Sequence, residues 1–162
     1  MTLMREQDFD ELVRRHAGAV TAYARALCRD RWQAEEATQE TFLRAWKYLD
    51  SYDRRGSFEG WLIRICRNCV IDLAARESRA PVPSRAIAET LVEPDHVSEL
   101  HELLARLPLP QREVLVLCRV LGYGYDSAAM ILDVPVGTVR SRLSRARDSL
   151  DSLLRDDQAG TA

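Results

Sequence analysis

The sequence predicts an all-α fold made of two small helical domains joined by a flexible linker. Three observations predict it. Apolar residues recur at three- and four-residue steps along most of the chain, no alternating run argues for a strand, and one proline-rich stretch breaks the pattern. The 162 residues, 46% hydrophobic and 30% charged with only seven glycines and six prolines, suffice for one ordinary domain or two small ones.

The first stripe, Phe9, Leu12, Val13, His16, Val20, Tyr23 and Leu27, marks an amphipathic helix that follows Asp8 and is broken by "CRDRW". A second helix is expected from about Gln33 to Leu49, and "DSYDRRGS" reads as a polar turn. A third runs from about Phe58 to Arg79, with Phe58, Trp61, Leu62, Ile65, Cys66, Cys69 and Leu73 on one face. The stretch "SRAPVPSRAIAETLVEPDH" then carries three prolines, small residues and acids, which places a linker at 81–96 between domains at 1–80 and 97–162. Beyond it Leu100, Leu103, Leu104 and Leu107 begin a new stripe that "PLP" ends, and Val114, Leu115, Cys118 and Leu121 continue after Gln111. "GYG" is a turn, a short helix covers Tyr125–Leu132, and a last helix runs from about Pro135 to Leu154 before a frayed tail.

The bulk numbers exclude several classes. No apolar run approaches the ~20 residues that span a bilayer. The polar start "MTLMREQDFDEL" is unlike a signal peptide, and four cysteines without secretory context argue for reduced thiols in the cytoplasm. The net charge of −2 hides its distribution: residues 100–162 hold eight basic and eight acidic residues, but four of those arginines fall between 140 and 147 and several acids follow them. A local basic patch on an acidic protein still makes a phosphate-binding site.

That patch, "GTVRSRLSRAR", has a back and a front. On a helical wheel Val139, Leu143, Ala146 and Leu150 lie together, while Arg140, Ser141, Ser144 and Arg145 lie opposite with Arg142 and Arg147 on the flanks. The helix before it, "YDSAAMIL", is short and rich in small residues, and "DVPVG" supplies a left-handed-tolerant Asp133 and a helix-starting Pro135. A short helix, a tight turn and a helix with an Arg/Ser front form the helix-turn-helix arrangement, whose front suits guanine edges and phosphates of the major groove. A solvated basic face is the bland alternative, and the turn chemistry that accompanies the charge favours DNA.

In the first domain, Phe42, Leu43, Ala45, Trp46, Tyr48 and Leu49 cover well over half of the second helix's circumference. Such a pattern fits a thoroughly buried central helix or one that docks a partner. Arg64, Arg67, Asn68 and Ile71 stand opposite the core stripe of the third helix, near Tyr52, Phe58 and Trp61, a mixture suited to unstacked bases. "CRNC" at Cys66–Cys69 has the spacing of a redox or zinc half-site, but both cysteines sit on the apolar stripe and no second Cys/His pair stands at ligand spacing, so buried structural thiols are the stronger reading. No catalytic constellation, metal or cofactor is expected.

In this order and spacing, "AEEATQETFLRAW", "GSFEGWLIRICRNCVIDLAAR" and "LPLPQREVLVLCRVLGYGYDSAAMILDVPVGTVRSRLSRAR" resemble the extracytoplasmic-function (ECF) sigma factors of bacterial RNA polymerase, from about Phe9 to Leu154. The resemblance implies a sigma-2-like and a sigma-4-like domain in a promoter-specificity subunit without enzymatic activity of its own. It implies that Gln39, Glu40, Phe42, Leu43, Arg44 and Trp46 meet the β′ clamp coiled coil, and that the loop Tyr52–Ser57 with Arg54 and Arg55, together with Trp61, Arg64, Arg67 and Asn68, opens the −10 element and holds a flipped base. Arg140, Ser141, Arg142, Ser144 and Arg145 match the −35-reading helix, and the sigma-4 surface is expected on the β flap. An anti-sigma factor covering both domains is expected, as is a linker whose Glu89, Glu93 and Asp95 mimic nucleic acid in a polymerase channel; homo-oligomers and membrane insertion are not.

Four departures from the family pattern matter: Ser144 replaces a bulky aromatic or histidine, Gly124 a Ser/Thr N-cap, Ala37 a larger apolar residue, and "CRNC" alanine and aliphatic residues. The rival from another class is a stand-alone DNA-binding regulator, which would need a dimer surface and a palindromic site.

Overall fold

A computed structural model describes residues 2–79 and 96–160, with only the backbone course of 2–5 and 96–98. Residues 80–95, which hold nearly all of the expected linker and its acids Glu89, Glu93 and Asp95, lie outside the described residues. Among the described residues the fold is all-α, with seven α-helices and no strand.

The first unit is three helices, α1 (Thr2–Leu27), α2 (Arg31–Lys47) and α3 (Phe58–Arg79). The α2 start is set by Asp30, whose carboxylate accepts from the Gln33 amide at 2.8 Å, while the Gln33 side chain reaches back to accept from the Arg29 amide at 2.9 Å. Two amides that would otherwise lack partners are satisfied together. The buried residues of α2 are Gln33, Ala34, Ala37, Thr41 and Ala45. Small side chains let this helix lie close against Val20, Tyr23 and Ala24 of α1 and Leu62, Ile63, Cys66 and Cys69 of α3. The Thr41 hydroxyl is kept neutral to the core by donating to the Ala37 carbonyl at 2.6 Å. A 3-10 turn (Leu49–Ser51) and a loop lead to α3, where the Ser57 hydroxyl accepts from the Gly60 amide at 3.0 Å.

The second unit holds α4 (His96–Ala105), α5 (Leu109–Leu115), α6 (Tyr125–Leu132) and α7 (Val136–Ala159). Pro108 caps α5 and Pro110 stands in its first turn, where a missing amide costs nothing. α5 passes into a π-helical turn over Val116–Val120. Gly124 caps α6 with no side-chain hydrogen bond, and Asp133 ends it in the left-handed region at φ 54°, ψ 50°, as the turn chemistry predicts. The Val134 amide then returns to the Ala129 carbonyl at 3.1 Å, closing the turn. α7 packs its Val139, Leu143 and Ala146 inward. It runs further than its apolar stripe predicts: instead of fraying after Leu154, the helix continues to Ala159, and Asp157 pairs with Arg106 beside α4 at 3.0 Å.

The two units dock, α6 against α3, and α4, α5 and the π turn against α1. Gly60 sets the closest approach: a Cβ there would stand 3.4 Å from Ile131 Cγ1 and 3.1 Å from Ser57 Oγ. Polar contacts carry much of the rest. The Arg112 guanidinium donates to the Leu27 carbonyl at 3.2 Å, and His101 Nε2 lies 2.8 Å from the Cys28 carbonyl. Glu59 joins three elements, with His16 Nδ1 at 3.0 Å from one oxygen and the Tyr123 hydroxyl donating to the other. Burial works against the Glu59 charge, but the contacts to Tyr123 and His16 outweigh it and hold its carboxyl below the ordinary carboxylate range.

The two faces of α7 should answer differently to truncation. Leu143→Ala is expected to destabilise the second unit by about 2–5 kcal/mol. The exposed Ser144→Ala should stay within about 0.5 kcal/mol of the parent. Urea titration followed by circular dichroism measures both, and equal midpoints would contradict the burial of Leu143.

Candidate nucleic-acid interface

Three surfaces gather the residues that the sequence singles out. The first is the front of α7. With Val139, Leu143 and Ala146 buried, the 100° step of the helix turns Arg140, Ser141, Ser144 and Arg145 to solvent and leaves Arg142 half-buried on the flank. The Arg140 guanidinium carbon sits 5.9 Å from the centre of the Tyr125 ring, so the start of α6 steers one arginine of the front. The Ser141 hydroxyl donates to the Thr138 carbonyl at 3.0 Å and keeps its lone pairs outward. Asp148, Asp151, Asp156 and Asp157 lie beyond the arginines on the same helix.

The second surface is a cleft of about 440 Å³ between α2, the following loop and α3, lined by Arg44, Tyr48, Ser51, Asp53, Trp61, Arg64, Ile65 and Asn68. Trp61, Arg64 and Asn68 of the expected −10 set meet here, with Asp53 from the expected loop Tyr52–Ser57; the sequence reading did not place Tyr48 and Ser51 at this site. Tyr52, Phe58 and Trp61 form a three-ring cluster with centroids 5.2–5.4 Å apart, and His16 extends it to Phe58 at 5.7 Å. Trp61 is half-buried, with one edge in the ring cluster and another at the cleft. Arg54 and Arg55 stand on the exposed loop outside the cleft lining, Arg54 with a left-handed φ of 60° and Arg55 beside Asp53 at 3.4 Å. Arg67 is not in the cleft. Its guanidinium forms a forked pair with Glu113 of α5, Nε to Oε1 at 2.6 Å, and Glu113 is 1% exposed.

The third surface is the outer side of α2. Because small residues fill its inner side, Leu43 is left 67% exposed and Trp46 38%, and the Trp46 ring edge meets Phe9 at 5.0 Å. Of the two readings open at the sequence level, a buried central helix or one with a face to spare, the structure has the second. Gln39 is exposed, Glu40 half-buried, and Phe42 packs partly onto the core. Arg44 lies differently from its neighbours: it donates to Glu40 at 2.7 Å and to Asp72 of α3 at 3.0 Å, and these bonds raise its pKa above the ordinary value. It ties α2 to α3 at the rim of the cleft. The Glu40 partner was legible as an i, i+4 pair; Asp72 was not.

The cysteines are settled by burial. Cys28, Cys66 and Cys69 are buried and Cys118 half-buried. Loss of solvation pushes the Cys66 and Cys28 thiols up to about 12 and raises those of Cys69 and Cys118. Such thiols are poor nucleophiles and poor metal ligands. Among the described residues no group of three or more His, Cys, Asp or Glu is placed to hold a metal ion, and no helix is long and apolar enough to cross a membrane.

The description "Sigma-70 region 2" matches residues 12–80, and "Sigma-70, region 4" matches residues 98–150. The ECF RNA polymerase sigma factor SigE of Mycolicibacterium smegmatis is 35% identical over 95% of this chain and 64% of its own length, so the chain spans just under two thirds of that relative. The ECF RNA polymerase sigma factor SigC of Mycobacterium tuberculosis is 35% identical over 82% of this chain and 81% of its own. Among solved structures, the sigma factor RpoE of Bartonella quintana in complex with the anti-sigma factor NepR aligns with a TM-score of 0.78 at 29% identity, over 92% of this chain and 98% of that one.

Thiol labelling tests the burial directly. At neutral pH a small thiol reagent is expected to modify Cys118 first and to reach Cys28, Cys66 and Cys69 only once the protein unfolds; mass spectrometry of a timed quench would show the order. Early modification of Cys66 or Cys69 would restore "CRNC" as a reactive site.

Proposed function

This chain belongs to the ECF sigma factors of the sigma-70 family, and we propose that it directs core RNA polymerase to promoters by gripping two separate DNA elements. The observation that carries this reading is one chain bearing both a basic helix-turn-helix front and, on a different unit, an aromatic-edged cleft large enough for an unstacked base. A regulator that binds duplex operator alone has use for the first and none for the second.

Each surface has a task that its chemistry supports. Arg140, Ser141, Arg142, Ser144 and Arg145 read the −35 duplex, arginine through guanine edges or phosphates and serine as a short adaptable partner. Ser144 is small and exposed where the family carries a bulky ring, so the base opposite it is read by hydrogen bonding rather than by shape. The cleft takes a base turned out of the −10 element: Trp61 supplies a stacking edge, Asn68 and Arg64 supply donors, and Arg54, Arg55 and Arg67 neutralise phosphates. Unstacking costs a few kcal/mol, which contacts inside the cleft must offset.

Polymerase binding falls to α2. Leu43 and Trp46 are the apolar anchors, Gln39 and Phe42 flank them, and Glu40 and Arg44 hold the helix rigid against α3. Exposed Leu and Trp on a rigid helix face suit the clamp coiled coil of β′. The β flap takes the second unit. The Bartonella relative was captured with an anti-sigma factor, and a cytoplasmic protein of the same kind is the proposed regulator of this chain. The work is binding and DNA melting, with the chemistry left to the polymerase.

In vitro transcription with core polymerase on a pool of promoter fragments tests the reading. Selective, protein-dependent transcripts are expected, and their absence despite duplex binding would favour the stand-alone regulator. Arg140→Ala or Arg145→Ala should weaken −35 recognition by about 1–3 kcal/mol where the contact is bidentate to a base. Asn68→Ala should spare duplex binding and slow promoter opening; an unchanged opening rate would remove Asn68 from the cleft's function. Leu43→Asp should abolish core binding without loss of helicity.

A further inference from the structure

The outer side of α2 carries more than the residues assigned above to polymerase. Trp32 is the second residue of the helix, ahead of the motif "AEEATQETFLRAW", and it is 64% exposed, nearly as much as Leu43. A lone apolar side chain at a surface calls for no explanation, so the position of the ring has to decide. Counted from Trp32, steps of four, three, four and three reach Glu36, Gln39, Leu43 and Trp46. At 100° per residue these five lie within about 80° of one another, on the side opposite the buried Ala34, Ala37, Thr41 and Ala45. Alternating steps of three and four are the heptad spacing by which one helix lies along another. We propose that the docking stripe of α2 runs the full length of the helix, and that Trp32 is its third apolar anchor on the β′ coiled coil.

The chemistry of the stripe defines the surface that it fits. It is apolar at both ends, Trp32 at one and Leu43 with Trp46 at the other, and polar between them at Glu36 and Gln39. At 1.5 Å per residue Trp32 stands about 16 Å from Leu43 and about 21 Å from Trp46 along the axis. A rounded knob would meet one end or the other, whereas an elongated helix meets both. The facing helix therefore carries two apolar sites about 11 residues apart, since both helices rise alike, with a basic or amide side chain between them. Glu36 is open to such a group: it is half-buried, and its pair with Arg76 of α3 is loose at 3.9 Å. Gln39 is exposed and can donate or accept.

Each part of the stripe has its own task. The start of α2 is fixed by Asp30 and Gln33, so the Trp32 ring is not required to hold it. Arg31 beside the ring is tied to Glu35 at 2.8 Å, and the ring itself is left for a partner. A tryptophan seated between helices removes a large apolar surface from water, which is why such residues dominate interfaces. The polar middle contributes register: a polar position within an apolar seam weakens the seam but admits only one alignment. Glu36 and Gln39 would thus keep α2 from slipping by a heptad along the coiled coil.

This inference rests on the polymerase reading of α2, so its test keeps the two apart. Anisotropy of a fluorescently labelled full chain reads its binding to purified core polymerase. Trp32→Ala is expected to weaken the complex about tenfold or more, and Trp32→Leu to recover most of the loss. Both variants should keep the parent's helicity and melting temperature, because the ring lies outside the core. A photo-cross-linking residue in place of Trp32 should join to β′ in the assembled holoenzyme. Unchanged affinity of Trp32→Ala, or a cross-link to any other subunit, would overturn the third anchor. So would a free chain that is dimeric by light scattering and that Trp32→Ala makes monomeric, since the stripe then pairs with a second copy. Should Trp32→Ala lower the melting temperature, the cross-link decides alone. Leu43→Asp separates the failures: core binding that survives it removes the polymerase reading of α2, whereas a loss with Leu43→Asp and none with Trp32→Ala removes only the extension to Trp32.

Discussion

The seam of small residues on α2 is the constraint from which the first unit follows. Ala34, Ala37, Thr41 and Ala45 let the helix sink between α1 and α3, and Leu43 and Trp46 are thereby displaced outward. Leu43 and Trp46 are exposed for that reason and not because the core has no room for apolar groups elsewhere. The same close packing sets how far α3 stands from the end of α2, and so the width of the cleft between them. Ala37, fully buried, lies in the middle of that seam. Arg44 locks the geometry by bonding acids on both helices.

The second unit solves a different problem with the same economy. α6 is small-sided and short, α7 crosses it closely, and the turn between them is fixed by a left-handed Asp133. A recognition helix needs a rigid mount, since side chains that read base edges gain discrimination only if their backbone does not drift. Burial of Val139, Leu143 and Ala146 supplies that mount. The arginines in front stand at the surface, Arg140 beside the Tyr125 ring, which suits the DNA-reading role proposed for them.

How much of this was legible follows from the range of each interaction. The extent of α6, Tyr125–Leu132, and the left-handed Asp133 were readable because turn chemistry is local. So was the buried face of α7, which its period alone dictates. The end of α7 was not, because what accompanies it is Arg106, 51 residues away. Glu113 gave the least warning. In "REVLVLC" it looks like a polar gap in an apolar run, and its partner Arg67 is 46 residues distant in the other unit. A buried charge demands a partner, so the signal was present in principle, but its identity depends on domain docking, which no periodicity encodes. The cleft was half legible: Trp61, Arg64 and Asn68 and the loop that carries Asp53 were in the expected set, whereas Tyr48 and Ser51 enter only through the path of the chain after α2.

The charge order along α7 has a further consequence. At 1.5 Å per residue its 24 residues make a rod of about 36 Å, three times the width of a major groove of about 12 Å. Arg140, Arg142, Arg145 and Arg147 occupy its first half, and four aspartates with a single Arg155 its second. Attraction alone would let such a rod slide along the groove or enter it backwards, because phosphates flank every base step alike. In that binding mode the aspartates would oppose both, since any shift that carries them toward the backbone meets like charge. In the proposed −35 binding mode, polarity and depth of insertion would therefore be set within one helix by repulsion, the acidic half keeping the arginine half the right way round.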